Sequence, residues 1–181
     1  MTQISIGRRL AEITDADPAG LALSIGDEVI TRGQLDAQSN QLARVLADQG
    51  VQETDFVTLA LPNGIEFAIY AMALWKLGAT PQPVSWRIPK HEMRAVVELG
   101  DSRLVVGVAA DTVPGRICLP GSLPPLESID DSPLPDRIAP TWKAPTSGGT
   151  TGKPKLIVSG DPGVWLPDVA DMWRIPASGH M

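Results

Sequence analysis

The stretch "FVTLALPNGIEFAIYAMALWKLGATPQPV", Phe56 to Val84, decides the fold. Phe56 to Leu61 is apolar without alternation, as a strand covered on both faces should be. The apolar run from Gly64 to Ala79 is about one helical turn too short for a bilayer and carries Glu66 and Lys76, so it reads as a buried core helix. Asn63 is its expected N-cap, with Glu66 as capping-box partner, and Gly78 its stop. "TPQPV" is extended but holds two prolines, which suits an edge strand.

The same alternation continues on either side. "EVIT" reads as a short strand. Thr31 caps the next helix and Gln34 completes the box; Leu35, Ser39, Leu42 and Leu46 recur at helical spacing until Gly50. Pro89 opens a helix through Leu99, and "RLVVGV" is a further buried strand. Strand-helix-strand repetition predicts an α/β fold: a mostly parallel sheet with helices on both faces, with strands near Phe56–Leu61 and Leu104–Val108 next to its centre. Eight prolines between Pro114 and Pro145 then mark a connection lying over the surface. The expected organisation is a lead-in (1–27), an α/β subdomain (28–113), a Pro-rich connection (114–139), and a hairpin with a truncated tail (140–181).

Composition narrows the functions. Of the 181 residues, 43% are apolar and 20% charged, ordinary for a soluble protein. The net charge of -6 disfavours nucleic-acid or anionic-membrane binding. A lone Cys118 excludes an intrachain disulfide framework and fits a reducing, cytoplasmic location. The N-terminus has no apolar h-region of a secretory signal, and no membrane span is expected. His91, His180, Asp15 and Asp17 (flanking Pro18 in an expected loop) and Asp130-Asp131 have no partners that suggest chemistry. Trp75 reads as core; Trp86, Trp142, Trp165 and Trp173 stand in more polar contexts.

Chemistry concentrates in "APTSGGTTGKPKLIV", Ala144 to Val158. Glycines let backbone N–H groups approach an anion, Ser and Thr hydroxyls add donors, and Lys adds charge. The pattern is not a Walker A loop. Pro154 follows Gly152-Lys153 where a Ser/Thr should stand, Ser147 replaces the first Gly, and the apolar, β-branched "KLIVS" reads as a strand where that motif opens a helix. A hairpin joining strands near Pro140–Ala144 and Lys155–Ser159 is expected. A plain Gly/Thr turn is the alternative, but seven consecutive small residues exceed what a turn needs. Lys155 reads either as the loop's cation or as a solvated strand-end charge; Lys153 reads as surface.

"TSGGTTGKPK" resembles the signature loop of the adenylate-forming superfamily: acyl-CoA synthetases, luciferases and peptide-synthetase adenylation domains. Ser147, Gly149, Thr150, Thr151, Gly152, Pro154 and Lys155 fall on its pattern. "TRGQLDAQSNQLARVL", the Phe56–Ser85 stretch and "DSRLVV" also resemble its upstream elements, so the likeness runs from about Gly26 to about Ser159. Gly148, where many members carry Ser or Thr, and Leu156, where Gly is common, resemble the bile-acid-CoA-ligase-like branch, which implies a bulky carboxylate such as a steroid side chain or long acyl chain.

The resemblance implies two steps. A carboxylate attacks the α-phosphate of Mg²⁺·ATP to give acyl-adenylate and pyrophosphate; a thiol, usually CoA, then displaces AMP. It assigns Ser147, Gly148, Gly149, Thr150, Thr151, Gly152 and Lys155 to the phosphates. It also places the adenine pocket, the metal-binding Glu and the C-terminal-domain Lys downstream of this loop. The chain therefore reads as an incomplete N-terminal domain, inactive alone and inclined to self-association through surface left exposed. A non-catalytic assembly module is the competing reading, and an unrelated P-loop phosphotransferase the third.

Overall fold

The computed structural model describes residues 3–147 and 154–166. At its centre lies a four-stranded parallel sheet in the order β5-β4-β6-β7, formed by β4 (Phe56–Leu59), β5 (Thr80–Pro83), β6 (Leu104–Val106) and β7 (Ile117–Leu119). The two strands expected next to the centre are there, and they pair with each other: Val57 with Leu104, Thr58 with Val105 and Leu59 with Val106. Alternation along them builds two cores. Val57, Leu59, Leu104 and Val106 pack with α1 (Ile6–Ala16), α2 (Arg32–Asp48) and α3 (Ile65–Leu77), whereas Val105 packs with Met93, Val96 and Val97 of α4 (Lys90–Gly100). Helices therefore cover both faces, which is why these two strands are apolar apart from the buried Thr58.

Local chemistry explains most of the elements. Thr31 and Gln34 close the expected capping box: Gln34 N–H donates to Thr31 Oγ1 (3.2 Å) and Thr31 N–H to Gln34 Oε1 (2.9 Å). Gly78 ends α3 in the left-handed region at φ 73, reached without Cβ strain. The N-terminus of α3 differs from expectation. Its N-cap is Gly64 with no side-chain cap, so Asn63 and Glu66 form no box. Asn63 lies one residue too early for its side chain to meet the first free N–H groups.

Three further elements depart from the sequence reading. The lead-in carries α1, capped by Ser5, whose Oγ accepts from Arg8 N–H at 3.0 Å. Asp15 belongs to this helix, not to a loop, and Asp17 is its C-cap. The lead-in also supplies β2 (Leu21–Ile25), which forms an antiparallel hairpin with β3 (Glu28–Thr31). Within the Pro-rich stretch, β7 extends the sheet, and Leu126 is buried against the α1–α3 core. Prolines flank those segments without entering the ladder. Finally, β1 (Ile4–Ser5) pairs with β10 (Val164–Trp165), tying the start of the chain to the end of the described part.

Candidate functional site

The edge strand β5 prepares the site. Thr80 N–H donates inward to the Asp55 carbonyl and Val84 N–H to the Leu59 carbonyl, so Pro81 and Pro83 occupy the alternate, outward positions where no N–H is needed. That outer edge offers carbonyls only. The Pro81 carbonyl accepts the Ala144 N–H at 3.1 Å, and the chain there begins a long two-armed hairpin.

Its arms are held by Gly163 N–H to Ala139 O (2.8 Å), Trp142 N–H to Asp161 O (3.0 Å), Ser159 N–H to Lys143 O (3.2 Å) and Ile157 N–H to Pro145 O (2.8 Å). At the far end β8 (Thr146–Ser147) pairs antiparallel with β9 (Lys155–Leu156). The expected strand-loop-strand is therefore present, with the regular ladder on the first arm two residues beyond Pro140–Ala144. Ser147 faces Lys155 directly in the register. Opposed residues in a ladder share a face, with Cβ atoms about 5 Å apart, so one hydroxyl and one ammonium flank the neck of the loop on the same side. Ser147 is half-buried and Lys155 exposed. Gly148, Gly149, Thr150, Thr151 and Gly152 lie outside the described residues, as do Lys153, Trp173 and His180.

Beside this neck opens a cleft of about 560 Å³. Its floor is Leu61 after β4 and Pro83, Val84 and Ser85 at the end of β5; its walls are Phe67, the α4 residues His91, Glu92, Ala95 and Val96, and the hairpin's Pro145, Thr146, Ser147 and Pro154. A cleft at the carboxyl ends of parallel strands is where open α/β sheets take ligands. Here it lies one strand away from the point where the strand order reverses, between β4 and β6. That point is closed by backbone: Ala60 N–H donates to Val106 O (2.9 Å), Gly107 N–H to Leu119 O (2.9 Å), and Gly107 sits at φ 90 with no room for a Cβ against the Ala60 carbonyl oxygen.

Composition singles out the loop residues as candidates. The cleft is not: His91 and Glu92 carry no local signal, because α4 reaches the hairpin only through the tertiary fold. Trp75 is part-buried against the core, as expected, and its Nε1–H donates to the Trp142 carbonyl at 2.7 Å. Trp86 and Trp165 are exposed, stacked with Arg87 and Arg9. Asp130 accepts from Ser132 and pairs with Arg44 at 3.0 Å, and those bonds hold its carboxyl below the usual range. Among the described residues no group of three or more His, Cys, Asp or Glu side chains is placed to hold a metal, and no helix is long and apolar enough to cross a membrane.

Known proteins agree with this architecture. The chain is 39% identical over 87 residues to a medium/long-chain-fatty-acid–CoA/3-oxocholest-4-en-26-oate–CoA ligase of Mycobacterium tuberculosis, covering 48% of this chain and 16% of that protein. It is 30% identical over 169 residues to a probable non-canonical nonribosomal peptide synthetase, CymA, of Salinispora arenicola, covering 86% of this chain and 2% of that protein. The N-terminal subdomain of Klebsiella oxytoca NpsA shares the fold, with a TM-score of 0.72 at 22% identity over 87% of this chain and 42% of that one. The chain thus spans less than half the length of each of these three proteins. The pattern described as AMP-binding enzyme matches residues 11–165, and the chain belongs to that family.

Proposed function

We propose that the chain is the N-terminal part of an ATP-dependent acyl-CoA ligase. In this reading its hairpin loop holds the β- and γ-phosphates while a substrate carboxylate attacks the α-phosphate. The bond to the departing pyrophosphate breaks as the acyl–phosphate bond forms, and negative charge grows on the leaving group. On this reading the backbone N–H groups of Gly148, Gly149 and Gly152, the hydroxyls of Ser147, Thr150 and Thr151, and the Lys155 ammonium serve as donors for that charge. The observation that carries the reading is the Ser147–Lys155 pair, which brings a hydroxyl and a cation to one side of the loop's neck above a cleft at the strand ends. Mg²⁺ would arrive with the ATP phosphates, and CoA would follow as the acyl acceptor.

The acceptor is CoA and the acid a long acyl chain or a steroid side chain. Support comes from the 39% identity to a ligase whose name carries both acid classes. A carrier-protein thiol is the second reading, favoured by the 86% coverage by a peptide synthetase. The full-length enzyme, incubated with ATP, CoA and a panel of fatty and steroid acids, separates them by mass spectrometry. Acyl-CoA formation is the expected result. Adenylate formation with loading of a phosphopantetheinyl carrier and no acyl-CoA establishes the second reading instead.

A further inference from the structure

Besides the β1–β10 pairing just beyond its second arm and the packing of α4 on β9, the hairpin is bound to the α/β body at the root of its first arm, where three side chains act. Trp75, in the last turn of α3, donates its Nε1–H to the Trp142 carbonyl at 2.7 Å. Thr80, the first residue of β5, donates its buried hydroxyl to the Thr141 carbonyl at 3.1 Å. Thr141 in turn directs its own hydroxyl across the stem to the Ser159 carbonyl at 2.8 Å, joining the two arms. Two successive carbonyls at the root of the first arm are thus held by two different elements, and a third side chain fixes the second arm to the first. Trp75 and Thr80 are connected through the tight Gly78 turn, so both donors sit on one rigid corner. Backbone bonds from Ala144 N–H to the Pro81 carbonyl and from Ile6 N–H to the Gly163 carbonyl add to the attachment.

We propose that Trp75, Thr80 and Thr141 form a clamp that sets the position of the phosphate loop: positioning residues that act on ATP through the hairpin without touching it. This rests on the phosphate-loop reading above. A loop on two short arms can hold its donors at the phosphates only if the root does not rock, because an error at the root is carried along the arms to the tip. Small misplacements of this kind are costly in preorganised sites. The clamp uses side-chain hydroxyl and indole donors where the β5 prolines leave no backbone donors.

Trp75→Phe, Thr80→Val and Thr141→Val each delete one donor and nearly preserve shape. Thr80→Ser restores the hydroxyl. Thr58→Val is the control: it removes a buried hydroxyl that bonds Gln82 and Ser102 rather than a carbonyl of the hairpin's root. Hydrogen exchange on this chain reads the clamp directly. The Ala144, Ile157 and Ser159 amides are expected to exchange up to roughly tenfold faster in the three clamp variants, the span of one net hydrogen bond, with the Ala60 and Gly107 amides unchanged. In the full-length enzyme, ATP–pyrophosphate exchange is expected to show a raised KM for ATP with the KM for the acid unchanged, and Thr80→Ser is expected to recover it. Unchanged exchange at those three amides overturns the clamp. So does a KM rise shared by both substrates and matched by Thr58→Val. If Thr151→Ala and Lys155→Ala leave pyrophosphate exchange intact, the phosphate reading fails by itself, and the amide measurement alone decides the clamp.

Discussion

Tyr70 is the one tyrosine of the chain and among its largest fully buried side chains. Burial pushes its phenol from 10.0 up to about 12. Between those values the folded chain keeps a proton that the unfolded chain releases. Stability present below pH 10 is therefore lost as pH rises toward 12, on the order of 3 kcal/mol. Its hydroxyl meets the Ser122 carbonyl only at 3.4 Å, so Tyr70→Phe costs little at neutral pH. Urea midpoints at pH 9 and pH 11.5 are expected to fall steeply in the native chain and less in Tyr70→Phe; equal falls contradict this. Lys76 acts with the opposite sign. Burial lowers its ammonium despite Asp36 at 2.7 Å, so just below pH 10.5 the unfolded chain holds more protons and stability rises with pH. Gly7 makes this buried lysine possible, because a Cβ there would stand 2.9 Å from the Lys76 Cγ.

Helix ends show what a sequence discloses about elements. Thr31 and Gln34 are legible as a box because both partners lie within three residues and nothing distant competes. Asn63 has the same local signature, yet Gly64 caps α3. Thr31→Ala is accordingly expected to cost about 1 kcal/mol in chemical denaturation, within the range for a lost cap, and Asn63→Ala less than about 0.5 kcal/mol. Equal losses at the two sites contradict the assigned caps. The central strands are legible because covered strands are continuously apolar. β7 is not, since "ICL" is a short apolar run between prolines and becomes a strand only beside Val105. α1 is missed because its apolar stripe is brief, Leu10 and Ile13 among charges, and its cap lacks an acidic partner at Arg8. The loop residues stand out as candidates by composition; the cleft and the hairpin's root are long-range pairings that no local window contains.

At the scale of the molecule, the described chain is a two-faced α/β body with a hairpin attached at one edge, spanning about two-fifths of a solved structure that shares its fold. On the proposed reading the chain carries the phosphate loop and only part of a nucleotide site, so few contacts offset the cost of binding. The 181-residue chain is expected to bind Mg²⁺·ATP more weakly than about 1 mM, roughly -4 kcal/mol; micromolar binding in calorimetry by a monomeric sample shows instead a complete nucleotide module. Exposed Ile157, Val158, Trp165 and Leu166 lie along or just beyond the hairpin's second arm, so light scattering belongs beside that titration. The central claim is that this loop manages phosphate charge in the adenylation step. Its most direct test is ATP–pyrophosphate exchange in the full-length enzyme with a matched acid. Thr151→Ala and Lys155→Ala are expected to slow exchange by about 10²–10³, the cost of one preorganised donor to a developing anion. Exchange at the native rate in both variants contradicts the account.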